Sequence, residues 1–231
     1  MKNILGIDGS KSGWVGVKQS SKQEGALEIL FNNKLIDFLS PDIDLIIIDM
    51  PVGLDRNIQQ GGRLVDKEAR KRLLKRKSSI FNAPIRDVLK AKSYNEANTI
   101  SKNKGLGISK QSWNLIPKIN ELDQILQIKI RPQIYESHPE LCFQIMNDGA
   151  LKFSKKDKLG IKERKNILIK NGFSKKFLDN NLKKNKNFHS DDFLDACALS
   201  WTAKRIINEQ NINLPEDPEK DELGIIMQMK V

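Results

Sequence analysis

Hydrophobic and polar residues alternate from Asn3 to Asp8, stop at Gly9-Ser10-Lys11-Ser12-Gly13, and resume through Trp14-Val15-Gly16-Val17. A period of two on either side of a turn cluster predicts a β-hairpin over 3–18. Ala26 to Phe31 reads as the third strand of the same meander, and Asn33 to Leu39 as a short helix. Leu45-Ile46-Ile47-Ile48 carries no polar position, so it is expected to cross the core with both faces covered. Pro51 and Gly53 stop it.

Beyond Gly53 the period changes. Residues 63–77 read as a strongly basic helix with Leu64, Ala69, Leu73 and Leu74 as its apolar set, and 78–92 as irregular chain, since Pro84 excludes a helix interior. Further helices are predicted at 93–103 and 117–127. Ile130 to Tyr135 reads as a strand that Pro132 weakens or moves to an edge. Helices follow at 139–147, 159–171 and 191–208, the last with Ser190 as N-cap. From 210 the chain is rich in Pro and acid, with Leu223 to Met229 as a possible edge strand. Three antiparallel strands, a helix, a central strand, a helical insertion, another strand and closing helices is the order of a ribonuclease H-like α/β fold. The expected organisation is one domain over 1–231, with an insertion at about 55–128 after the fourth strand and an acidic tail at about 210–231.

Composition narrows the class. No stretch approaches the roughly 18 apolar residues of a membrane span, and the N-terminus lacks a signal-peptide pattern. Cys142 and Cys197 are the only cysteines and show no metal spacing, which fits reduced thiols in a cytoplasmic protein. The net charge of +11 is unevenly spread: residues 51–110 carry 15 Lys/Arg against 5 Asp/Glu, and 151–190 carry 13 against 3. The segments 1–50, 111–150 and 191–231 are net acidic. Acidic centres between basic flanks suit a polyanionic partner, nucleic acid or nucleotide. A Lys-rich solvated surface is the simpler alternative, and it is the preferred reading for Lys155, Lys156 and Lys158 around Asp157.

The chemistry lies in the acidic segments. Asp8 follows an apolar strand beside glycines, and Asp49 ends an all-apolar strand, where a charge must be paired, hydrated or metal-bound. Local turn or cap roles are the alternatives. Glu136 and His138 are two apart on a proposed strand and would face the same way; Glu136 is a candidate ligand, and His138 either moves a proton or serves as a structural hydrogen-bonding group. Asp191, Asp192 and Asp195 open the last helix. Some of them suit its dipole, but stacked like charges call for a cation, and Asp192 and Asp195 are the better candidates. Carboxylates converging from distant segments imply a divalent cation or a shared proton. Hard oxygen donors without Cys or paired His point to Mg²⁺ or Mn²⁺ rather than zinc. Substrate contacts are expected from Lys11, Arg63, Arg70, Arg76 and Arg86 as phosphate binders, with Asp66 orienting Arg63 or Arg70. Gln111 and Trp113 are candidates for a base, although a core role for Trp113 stands beside stacking.

Eight motifs in order carry a family resemblance: Gly6-Ile7-Asp8-Gly9 with Gly13-Trp14-Val15, Ile48-Asp49-Met50-Pro51-Val52-Gly53-Leu54, Asp66-Lys67-Glu68-Ala69-Arg70, Ser78-Ser79-Ile80-Phe81-Asn82-Ala83-Pro84-Ile85-Arg86, Gly107-Ile108-Ser109-Lys110-Gln111-Ser112-Trp113, Pro117-Lys118-Ile119, Glu136-Ser137-His138-Pro139-Glu140 and Asp191-Asp192-Phe193-Leu194-Asp195-Ala196. Over about residues 4–207 the chain resembles the domain-of-unknown-function family 429. That resemblance implies an RNase H-like nuclease and adds Lys118 to the substrate-binding set. Ser10 and Lys11 stand where the family usually carries Cys and Pro, which leaves Asp8 untouched and sets a cation beside it.

The expected function is a metal-dependent nuclease or phosphodiesterase. Asp8, Asp49, Glu136, Asp192 and Asp195 would hold two ions roughly 3.5–4 Å apart, with His138 beside them. Two alternatives stand: nucleotide phosphotransfer of the actin and sugar-kinase type, and a nucleic-acid-binding module without catalysis.

Overall fold

A two-residue turn, Lys11-Ser12, folds β1 (Ile4–Ser10) back onto β2 (Gly13–Gln19), and β3 (Leu27–Asn32) extends the meander. The strand thus carries on past Asp8, through Gly9 and Ser10, and the predicted turn cluster shrinks to its two middle residues. The computed structural model describes residues 3–20, 26–128, 132–183 and 185–231. A 3₁₀ turn at Leu35–Phe38 leads into β4 (Leu45–Ile48), which pairs parallel with β1 on one side and with β5 (Gln133–Glu136) on the other. The seven-stranded sheet has the order β3-β2-β1-β4-β5-β7-β6, with β6 at Asn213–Leu214 and β7 at Met229–Lys230.

β4 behaves as its composition requires. Leu45 and Ile47 enter one buried cluster and Ile46 and Ile48 the other, one on each face of the sheet. Between β4 and β5 run α1 (Leu64–Arg72), α2 (Tyr94–Asn103) and α3 (Lys110–Leu126). Residues of α2 and α3 join the cluster of Ile46 and Ile48, whereas Val65 and Ala69 of α1 join the other. That second cluster also takes α4 (Pro139–Met146), α5 (Lys158–Lys170), α6 (Lys175–Asn181) and α7 (Ser190–Ile207).

Several expectations change. α1 ends at Arg72, five residues early: Leu73 turns extended to stay buried and Leu74 faces solvent. α3 begins at Lys110, with Ser109 accepting the amide of Ser112, and carries Pro117 within it. The lost hydrogen bond is tolerated because Ile116, Ile119 and Leu122 are buried on either side. The N-cap of α7 is His189, whose amide donates to Asp192 Oδ2 (2.9 Å); Ser190 is already helical. Ile130 lies outside the described residues. β5 starts after Pro132 and is interior, between β4 and β7. β7 is likewise flanked on both sides, so the tail supplies no edge strand at 223–229, and β6 and α6 have no counterpart in the sequence reading. The acidic tail is no loose appendage. Arg86 holds Asp221 (2.5 Å), Glu222 (3.2 Å) and Asp123 of α3 (3.0 Å), and Asp221 also accepts the amides of Leu54, Leu223 and Ile225.

α7 lies directly on β1 because Gly6 has no side chain. A Cβ there would sit 2.1 Å from the amide nitrogen of Ser200 and 2.5 Å from the carbonyl oxygen of Ala196. Gly6→Ala is therefore expected to lower stability by about 3 kcal/mol, read as a drop in the urea midpoint. An unchanged midpoint would mean that the helix is not held this close.

Candidate active site

Ile7 of β1 pairs with Ile48 of β4. The next residue of each chain is an acid, so Asp8 and Asp49 stand side by side at the carboxyl end of the sheet. Side chains alternate across a sheet. Ile7 and Ile48 face the α2–α3 side, so Asp8 and Asp49 face α7. α7 runs back along β1: Gly6 meets Ala196 and Ser200, and Asp8 meets the charges of the earlier Asp195 and Asp192. Carboxylates from β1, β4 and α7 thus converge, Asp8 and Asp195 buried and Asp49 partly exposed.

Their titration reflects this crowding. Burial raises Asp8 well above the ordinary carboxylate range, and Asp49 and Asp195 raise it further. Burial lifts Asp49 and Asp195 each to about 6, against the pull of Lys155. Among the described residues Asp49 has no side-chain hydrogen-bond or ion-pair partner. Asp8 accepts only the amide of Gly9 (2.8 Å). Asp195 pairs with Lys155 through Oδ2 (2.5 Å), while its Oδ1 is buried with no partner. The other two acids of α7 have local roles: Asp192 caps the helix, and Lys156 holds Asp191 (2.7 Å).

A cleft of about 490 Å³ opens over Asp8 and Asp49, with Ser10, Lys11, Lys118, His138, Glu140 and Lys155 on its walls. Asp192 and Asp195 lie off the wall. A lobe of about 260 Å³ shares Ile80, Phe81 and Gln111 with it and is closed by Ile58, Pro84, Leu106 and Ile108.

Glu136 does not join the cluster. It pairs in register with Ile48 and so stands on the other face of the sheet from Asp49, although together with Arg63 and Asp66 it lines the same cleft. There Arg63 grips it with two nitrogens (2.7 and 3.1 Å), and its Oε2 also accepts the amide of Val52 (2.8 Å). Arg63 in turn pairs with Asp66 (2.7 Å), and all three side chains are almost wholly buried. Burial pushes Glu136 up to about 7 while Arg63 pulls it down. His138 lies past the end of β5 as the N-cap of α4, so it shares no strand with Glu136. It lines the cleft with Nδ1 buried and unpartnered, and burial lowers it to about 4, leaving a neutral ring at pH 7.

The arginines are spent on the protein itself. Arg70 donates to the carbonyls of Ile80 and Gly61 and to Asn82. Arg76 reaches the carbonyls of Leu151 and Phe153 and the carboxylate of Glu140. Arg86 latches the tail. Only Arg63 of the four touches the cleft, and its fork is filled. Trp113 packs edge-on against Tyr94 (6.3 Å between centroids), away from the main cleft. Lys11, Gln111 and Lys118 do line the cleft. Lys118 also donates to the Gly13 carbonyl (2.5 Å) and lies over the Trp14 ring. Sequence reasoning missed Lys155, which it assigned to solvated surface, and Phe81, which it quoted only within a motif.

Among the described residues no three His, Cys, Asp or Glu side chains form a ready-made metal set. The donors still suit Mg²⁺, which keeps several waters and is commonly held by one or two carboxylates. Asp8 and Asp49 have no cationic partner of their own, and the bare Asp195 Oδ1 is an acceptor in want of a positive neighbour.

Two outcomes follow. Arg63→Met leaves Asp66 and Glu136 buried without a counter-charge and should cost about 3–5 kcal/mol in urea denaturation without ligand; an unaltered midpoint would return Arg63 to phosphate binding. Asp49, raised from 3.8 to about 6 on folding, is a liability once ionised, so its cost is absent below pH 4 and complete above pH 6. Asp49→Asn should therefore stabilise the protein by about 1–2 kcal/mol at pH 7.5, a gain that fades between pH 6 and pH 4. A loss of stability at pH 7.5 would contradict the assignment.

No curated protein and no solved structure matches the chain, and no helix among the described residues is long and apolar enough to cross a membrane. The model of DUF429, a protein of unknown function, matches residues 6–220, and the chain belongs to that family.

Proposed function

We propose that this protein is a divalent-metal-dependent phosphodiesterase or nuclease of ribonuclease H-like fold. The observation that carries the reading is the convergence of Asp8, Asp49 and Asp195 from three distant segments, with Lys155 the one ion-pair partner among the described residues. A structural role would have paired each acid, as the fold does for Glu136, Asp66, Asp123 and Asp221. The strand order β3-β2-β1-β4-β5, with Asp8 near the carboxyl end of β1, Asp49 just past β4 and a helix crossing β1, supports the fold assignment.

Asp8 and Asp49 would hold the cation, with Asp195 behind them. When bound, Mg²⁺ or Mn²⁺ supplies an activated water and charge stabilisation at the leaving oxygen. Lys11 and Lys118 line the same cleft and offer ammonium groups to a phosphate. Ser10 is on the cleft wall, its Oγ buried and unpartnered. His138, neutral at pH 7, lines the cleft with its Nδ1 unpartnered. The lobe beside Phe81 gives a flanking base an aromatic wall.

The test is hydrolysis of bis(p-nitrophenyl) phosphate and of labelled single-stranded oligonucleotides with Mg²⁺ or Mn²⁺. Asp8→Asn and Asp49→Asn should each lower kcat by at least about 100-fold, and chelation should abolish turnover. Full metal-dependent cleavage by the double variant would defeat the reading.

A further inference from the structure

Two basic segments of the chain are brought together beside the cleft. Residues 71–77 hold five Lys/Arg and no acid, and 152–158 hold four with one acid, Asp157. Gln144 of α4 fastens the first segment: its Oε1 accepts the Leu74 amide (2.8 Å) and its Nε2 donates to the Arg72 carbonyl (3.0 Å). Arg76 fastens the first segment to the second, donating to the carbonyls of Leu151 (3.2 Å) and Phe153 (2.6 Å). Its backbone is left-handed, with φ at 57°, which is uncommon for a residue with a Cβ. Arg76 is half-buried there, while Lys75 and Lys77 on either side of it are exposed. The joined segments border the cleft. Ser79 and Ile80 follow the first and line the wall, as do Lys155 of the second and Glu140, the ion-pair partner of Arg76.

More than half of these charges are unpaired. Lys71, Lys155 and Lys156 are held by Glu68, Asp195 and Asp191. Among the described residues Arg72, Lys75, Lys77, Lys152 and Lys158 have no ion pair, and all five are exposed. Asp148 and Asp157 are the exposed acids of the same α4–α5 connection, and Glu163 spends its two oxygens on the amides of Lys152 and Phe153 (2.9 and 3.0 Å). A merely solvated surface gains nothing from holding two like-charged segments together, since they repel. Here a residue in a strained conformation and a glutamine side chain hold them. A polyanion relieves that repulsion. Phe153 stands among the lysines with 39 % of its surface exposed, a ring on which an unpaired base can stack. We propose that the rim formed by 71–77 and 152–158 binds the backbone of a single-stranded nucleic acid, with Phe153 against a base. A duplex keeps its bases stacked inside and offers the ring no face. Binding at the rim needs no metal; only the strand's further course, into the cleft, rests on the function proposed above.

The test is fluorescence anisotropy of labelled oligo-dT and oligo-rU with the full chain in EDTA, across a KCl series. Both strands should bind. Lys75→Glu/Lys152→Glu, one change on each segment, should weaken them at least about tenfold and lower the slope of log K against log salt by about 1.4, at about 0.7 per lost phosphate contact. Lys90→Glu/Lys170→Glu makes the same change of net charge on exposed, unpaired lysines elsewhere and should cost no more than about twofold. Phe153→Ala should weaken binding at least about fivefold with the slope unchanged, because stacking releases no counterion. Equal losses in the two double variants, or a duplex held as tightly as the single strand, overturn the inference. Rim-dependent binding to phosphatidylserine vesicles with none to oligonucleotide overturns it as well. Hydrolysis of bis(p-nitrophenyl) phosphate separates the rim from the function proposed above, and the rim variant should keep it. No strand binding with that hydrolysis intact overturns the rim alone; strand binding without any hydrolysis overturns the phosphodiesterase reading alone.

Discussion

The absence of a single methyl group at Gly6 governs how the site is built. A helix packs on a sheet at a distance set by the side chains between them, and here there is none. The backbone of α7 at Ala196 and Ser200 touches the strand itself. Two residues further along the same face of β1 comes Asp8, and about a turn back along α7 come Asp195 and Asp192. A side chain at position 6 would lift the helix and draw these acids apart. The close approach creates the repulsion between the carboxylates and also the covered surroundings that make it costly.

Elsewhere the fold keeps charges apart or pairs them. Arg63 serves Asp66 and Glu136, Arg86 serves Asp123, Asp221 and Glu222, and Arg164 and Arg76 serve Glu140. Apart from Arg63–Asp66 these pairs join segments distant in the chain, and removing Arg63 would strand two buried charges. The same rule sorts acids by role. A carboxylate held by a guanidinium fork has its oxygens occupied, while Asp8 accepts one backbone amide and Asp49 has no side-chain partner among the described residues. Guanidinium chemistry suits phosphate, yet Arg63, Arg70, Arg76 and Arg86 are all engaged by groups of the protein itself.

The strand order of the meander and of β4 was legible because period-two alternation and an all-apolar run are local signals. Asp8 and Asp49 were legible for the same reason, since each ends such a run. What the sequence did not reveal is register. Glu136 lies one residue off the level of Asp49, and a one-residue step turns a side chain to the other face; nothing local to Tyr135-Glu136-Ser137 reveals that step. Lys155 was hidden for a different reason. It stands among Lys152, Lys156 and Lys158, and only the path of the turn over α7 separates it from its neighbours. The start of α3 was obscured by Pro117, where burial of Ile116 and Ile119 outweighed the lost hydrogen bond.

The three acids of α7 show why sequence position alone does not mark a ligand. Asp191 and Asp192 lie in the first turn, where the helix dipole and the free amides welcome negative charge. One pairs with Lys156 and the other accepts the amide of His189. Asp195 lies a turn deeper, past the unpaired amides, with Ala196 and Ala198 buried beside it. Helix capping cannot account for its charge, and the lysine that neutralises it satisfies one oxygen only. An acid kept at such a position, facing two more across a missing side chain, is costly as a structural element and well suited to holding a cation.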